Sequence, residues 1–249
     1  MAMKPIAFCG LLTVILMGGF TNLPAQTHEP SIAPAPVAAD QEQKTLEKHI
    51  KPILTALNLN ETAKVTKVRE ILAAQIKALD AWHAEHDSQI KSLWNQFNKA
   101  RGKQDETSAD AALAQIDGVY ASLKLQHEDF VSDLSSVLSQ EQVETVKDTL
   151  TINKVKITFN AYGQIFPGLT EEQKAFILKN LKAAREEAID AGAMTEKSAF
   201  FKKYKIKIEA YLTAQGYDVK QSYKDFVAKQ KAEVAAKKAG EAPATDDKQ

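Results

Sequence analysis

The chain has 249 residues, 44% of them hydrophobic and 26% charged, with 32 basic and 32 acidic side chains. That length supports a sizeable core, and the balanced charge excludes a domain-wide basic surface for nucleic acid. A single cysteine, Cys9, excludes a disulfide framework or a cysteine-rich zinc module.

The first 25 residues read as a signal peptide. Lys4 supplies the positive start, Ile6 to Phe20 the apolar run, and Thr21 to Ala25 a short polar end before cleavage. An apolar run of about 15 residues is short for a membrane span, although an uncleaved anchor is the alternative. Cys9 lies inside the run, too early to carry a lipid, and its removal leaves a mature chain without cysteine. The expected location is periplasmic or secreted, with no stable membrane span after cleavage. Residues 26–40 hold Pro30, Pro34 and Pro36 among Ala and Ser, the composition of an extended linker.

From 41 to 236 the pattern predicts a single all-α domain, an antiparallel helical bundle with long helices. Leu46, Ile50, Ile53, Leu54 and Leu57 mark a first amphipathic helix that Pro52 is expected to bend. Asn60 is placed to cap a helix running to Lys103, about 60 Å long. ARGKQDETSAD then breaks the pattern, and Leu113, Ile116, Tyr120, Leu123, Phe130 and Leu134 carry a return helix over 110–138. Ser139 and Gln142 form a capping-box pattern that starts a short helix on Val143, Val146 and Leu150. Thr151 to Phe159 is β-branched and is expected to be irregular or a bent helical link, since a lone strand has no partner. Residues 237–249, charged and Ala-rich, read as a disordered tail.

The stretch from Pro167 to Asp218 carries the densest punctuation. Pro167 and Gly168 stop one helix, and Thr170 with Gln173 caps the next, with Glu171 and Glu172 in its first turn. Ile177, Leu178, Leu181, Ala184 and Ala188 form its apolar stripe, and Gly192 suits a left-handed position after it. Thr195 restarts a helix on Phe201, Tyr204, Ile208, Tyr211 and Leu212, which Gly216 ends before Asp218 caps another. At about 100° per residue, Arg185 falls about 40° from Leu181, and Lys197 and Lys205 about 40° either side of Phe201. Basic side chains on such flanks must snorkel, pair with a carboxylate or meet a ligand.

The residues Arg185, Asp190, Gly192, Lys197, Tyr204, Lys205, Tyr211, Gly216, Tyr217 and Asp218, in the run AREEAIDAG, EK, KYK, YL and GYD, resemble a secreted bacterial family known as domain of unknown function 3826. The resemblance extends upstream through EQVETVKDTLT and Tyr162, and some family members carry a sugar-binding label. The pattern departs at Ser198, where the family has His, at Ile206, where it has Gly, and at Glu209 and Ala210, where it has two Asn. The resemblance implies an extracytoplasmic binding protein for carbohydrate, while the segments 26–40 and 237–249 leave a contact with a carbohydrate or envelope polymer open as an alternative to plain solvated ends. Arg185, Lys197, Tyr204, Lys205, Tyr211 and Tyr217 are expected to border one cleft between the two helices and the chain after Gly216, with Arg as a planar fork and Tyr as a ring platform for an acidic or hydroxyl-rich ligand such as a uronic-acid-containing glycan. The structural alternative has Arg185 and Lys205 pairing with Glu187, Glu209 or Asp218.

No nucleophile motif, phosphate loop or HExxH pattern is present, so no catalytic residue and no cofactor is assigned. Counting along a hairpin that turns near residue 105 puts His83 opposite His127, with His86 one turn away. These three histidines, even with Glu85 and Asp87 nearby, are expected not to form a tight zinc or copper site. LSQEQ and LTEEQ look like the Leu-Thr-x-x-Gln repeats of Spy/CpxP-type proteins, which makes a periplasmic helical chaperone or stress sensor the alternative function.

Overall fold

The structure, a computed structural model, describes residues 36–240; the segment read as a signal peptide, the linker as far as residue 35 and the tail beyond 240 lie outside the described residues. Those described form nine α-helices and no strand: α1 Pro36–Leu57, α2 Thr62–Gly102, α3 Glu106–Tyr120, α4 Lys124–Val137, α5 Gln140–Leu150, α6 Lys154–Ile165, α7 Glu171–Ala188, α8 Met194–Ala214 and α9 Val219–Gly240. The first helix therefore begins inside the stretch read as linker, and it carries Pro52 in its interior without ending there. No described helix is long and apolar enough to cross a membrane.

The 41-residue α2 spans about 60 Å and threads two separate apolar clusters. Val68, Ile71 and Leu72 pack with α1, α4 and α5 through Ile50, Ile53, Leu134 and Val146. Ile90, Leu93, Trp94, Phe97 and Ala100 pack with α3, α6, α7 and α8 through Ile116, Tyr162, Ile177, Leu181, Phe200 and Ile208. Between Leu72 and Ile90 the buried residues of α2 are Gln75 and His83. A polar layer thus separates the two clusters.

Both capping boxes form: Ser139 with Gln142 opens α5, and Thr170 with Gln173 opens α7. Asn60 does not cap α2, whose N-cap position is Glu61 without a side-chain bond. The return helix expected over 110–138 is two helices joined by a 3-10 turn at Ala121–Leu123. Ser122 explains the break. Its hydroxyl donates to the Val119 carbonyl at 2.9 Å, a bond that competes with the helical ladder, and it accepts from the Trp82 indole at 3.0 Å. The β-branched link is likewise more regular than expected, since α6 starts at Lys154. A tight turn precedes it, in which Ile152 and Asn153 take φ of 50° and 54° and Asn153 N–H donates to the Asp148 carbonyl at 2.7 Å. For a β-branched residue that is a strained conformation.

Gly192 is not the left-handed cap that the sequence suggests. The described glycines with positive φ are Gly168 and Gly216. Gly192 is needed for closeness instead: a Cβ there would sit 3.0 Å from Cγ of the His83 ring. The turn between α7 and α8 is pressed directly onto α2.

Candidate functional site

The six residues expected around one cleft do not share one: Lys205 and Tyr217 line a common groove, and the other four lie outside its lining. Arg185, only 2% exposed, sits in the last turn of α7. Its Nη1 donates to Asp148 at 2.7 Å, and its Nη2 to both oxygens of Glu144 at 2.8 Å and to Glu186 at 3.1 Å. Burial raises the Glu144 carboxyl, but the hydrogen bonds and charge of Arg185, with help from Lys182, outweigh it and hold the group below its ordinary value. Arg185 is thus a clamp between α5 and α7, and its partners are not the acids expected from sequence.

Lys197 turns inward and donates to the Ala188 and Ile189 carbonyls at 3.0 and 3.3 Å. These carbonyls lie at the C-terminal end of α7, where a cation is favoured. Burial pushes its amine down to about 8. The Tyr204 hydroxyl donates to Glu187 at 2.6 Å, and the Tyr211 ring stacks on Phe176 with centroids 3.9 Å apart. A helical wheel gives the angle around a helix and omits the rise along it. Lys197 and Lys205 share a face of α8 but stand about 12 Å apart along it.

Lys205 and Tyr217 do lie together, in an open groove of 880 Å³ formed by the second half of α8, the start of α9 and the α2–α3 turn. Gly216, at φ 93°, reverses the chain there, and Asp218 accepts from the Gln221 N–H at 2.9 Å to start α9. This turn fixes Tyr217, whose hydroxyl donates to Gln173 at 3.1 Å while its ring stands edge-on to Phe166. Lys205 Nζ lies 4.4 Å from the Tyr223 ring centroid and 3.5 Å from Glu209. Burial raises the Tyr223 phenol above its ordinary value, and the neighbouring Glu209 adds to the shift, so the group is a neutral donor.

Arg101 and Glu106 pair with each other on the opposite wall. No local pattern marks these two, which lie about 100 residues from Lys205 in the chain. Glu209 and Ala210, the two departures from the resembled pattern, both line the groove. With basic Arg101, Lys205 and Lys220 set against acidic Glu106, Glu209 and Asp218, the groove carries fixed charges of both signs. It offers planar donors and acceptors beside aromatic rings, a combination suited to a ligand rich in hydroxyls.

The histidines are placed as the hairpin count expects but do not converge on one point. His83 Nε2 lies 2.8 Å from the Asp190 carbonyl oxygen, and His127 Nδ1 lies 2.8 Å from the Asp190 carboxylate. His86 turns back to the Trp82 carbonyl at 2.8 Å and stacks on that indole. The described side chains whose ligand atoms come within 4.8 Å of one another, as a metal ion requires, are His83, Asp87 and Glu196.

Comparison with known proteins gives one family: the model described as protein of unknown function (DUF3826) matches residues 43–232. No curated protein matches the chain.

Proposed function

The chain belongs to the DUF3826 family, and we propose that it is an exported, non-enzymatic helical binding protein whose ligand is a carbohydrate. The observation that carries this reading is the α8–α9 groove. Its 880 Å³ falls in the range of small-molecule sites, roughly 300–1,000 Å³. Its walls combine tyrosine rings with three cations and three carboxylates. Such a balance suits a neutral, hydroxyl-rich ring better than a polyanion, since each hydroxyl can donate to a carboxylate and accept from a cation. The sugar-binding label borne by members of the resembled family points the same way.

The chaperone reading requires a broad apolar or basic concave cradle, whereas a binding module requires a pocket with converging polar groups. The exposed large apolar side chains described are Leu125, Ile152, Ile157, Met194, Val227 and Val234, spread over α4, the α5–α6 turn, α6, α8 and α9. That dispersion favours the groove.

A glycan array followed by calorimetry on the mature chain tests the proposal. Lys205→Ala and Glu209→Gln, each confirmed folded by circular dichroism, are expected to weaken binding by about 1–3 kcal/mol. Folded variants that bind a glycan as tightly as the parent would remove the groove as the site. Suppression of client aggregation by a protein that binds no glycan would favour the chaperone instead.

A further inference from the structure

We infer that His83, Asp87 and Glu196 form a binding site for one divalent cation of the zinc class, closed by the turn between α7 and α8. His83 and Asp87 are four residues apart on α2 and so share a face. Glu196 comes from the first turn of α8, and the ligand atoms of all three lie within 4.8 Å of one another.

Proton accounting at His83 leaves a place that a cation can fill. The Asp190 backbone carbonyl can only accept, so the His83 Nε2 beside it at 2.8 Å carries the hydrogen. A neutral ring then presents a bare lone pair at Nδ1, and the atom facing it at 3.1 Å is Asp87 Oδ1, another acceptor. Two lone pairs at that distance repel unless a second proton or a metal ion satisfies both. Glu196 adds a third. It is 9% exposed, and its Oε2 accepts from the Gly192 N–H at 2.9 Å, while its Oε1 is buried with no hydrogen-bond partner. The buried Tyr120 hydroxyl, which makes no well-formed hydrogen bond, lies close enough to Glu196 to interact with it, and its donation to that carboxylate is the rival way to close the network.

The surroundings favour the ion. One neutral imidazole and two carboxylates balance a charge of +2, and this N/O donor set is the kind zinc accepts. The Nε2–H bond to a backbone carbonyl is the outer contact that metal-bound histidines use to fix their orientation. Gly192 presses on the His83 ring from one side, so the ring is held before any ion arrives. Asp87 and Glu196 also line a cavity of 320 Å³, which leaves an entry path and room for a further ligand. His86 and His127 take no part. Glu196 lies thirteen residues before Glu209 on α8, about 20 Å from the sugar groove, so the two sites are independent.

The test is calorimetry of the chelator-stripped protein with Zn²⁺, and separately with Mn²⁺, Mg²⁺ and Ca²⁺. One equivalent of Zn²⁺ per chain is expected to bind and to raise Tm. Glu196→Gln and Asp87→Asn are each expected to weaken it by about 10-fold or more, while His86→Gln and His127→Gln leave it unchanged. Asp87 is half-exposed, so its variant stays informative even if Glu196→Gln fails to fold. Failure of the parent to bind Zn²⁺ stoichiometrically, or binding that survives Asp87→Asn and is lost with His86 or His127, overturns the inference.

Discussion

Replacing Arg185 by Met removes a buried cation while keeping most of its packing volume. Three carboxylates would then face one another without it: Glu144, Asp148 and Glu186, whose side chains are 33%, 33% and 35% exposed. Breaking a fully buried ion pair costs about 3–5 kcal/mol. Here the acids keep about a third of their access to water, and Lys182 and Lys147 still reach Glu144 and Glu186 at 3.3 and 2.7 Å. Both effects lower the cost, so a loss of about 2–3 kcal/mol is expected at pH 7. With a urea slope near 2 kcal/mol/M, that moves the unfolding midpoint down by about 1 M.

The pH dependence follows from Glu144, whose folded pKa lies below its ordinary value. Such a group contributes stability that is fully present above the ordinary value and is lost as pH falls through the folded one. The gap between parent and Arg185→Met should therefore be widest near neutrality and narrow as the solution is taken below about pH 4. Urea titrations followed by helical circular dichroism at pH 7 and pH 3 would show this. A variant as stable as the parent at pH 7, or a gap of equal size at both pH values, refutes the clamp.

Two further outcomes are expected. Gly192→Ala should destabilise by about 1–3 kcal/mol through contact with the His83 ring, and thermal melts of the Gly192→Ala, His83→Ala double variant should show a smaller loss than the sum of the single ones. Ser139→Ala and Thr170→Ala should each cost about 1 kcal/mol, and denaturant titration should find the two additive, because the boxes open different helices.

The features legible in the sequence are those settled within four residues. Both capping boxes, the Gly216 stop and the Asp218 cap depend on neighbours in the chain, and all form. The opposition of His83 and His127 was also readable, since a hairpin turns a residue count into a spatial register. Apart from the Asn60 cap, which is equally local and does not form, what was not legible depends on distant partners. Nothing near Ser122 in sequence announces that Trp82 will hold its hydroxyl and break the return helix. Arg185 was singled out for its awkward place on the stripe, but its acids lie 37 and 41 residues upstream on a helix whose orientation was unknown. The site expected around six residues divided for the same reason. Position around a helix is periodic in sequence, whereas position along it and the choice of neighbouring helix come from tertiary packing.

The passage of α2 through both apolar clusters bears on how the protein comes apart. Its buried apolar anchors lie at Val68–Leu72 and Ile90–Ala100, and the 17 residues between them, with about 27 Å of helix from Leu72 to Ile90, bury only Gln75 and His83. Melting either cluster frays α2 from that end, and fraying reaches the opposite cluster only by crossing the polar middle. The molecule is therefore built as two cooperative folding units sharing one helix, with amide exchange expected to be slowest at the two anchored segments and faster between them. Whatever ties the two units together, whether an ion at His83 or the Arg185 clamp that joins α5 to α7, sets how far they open as one.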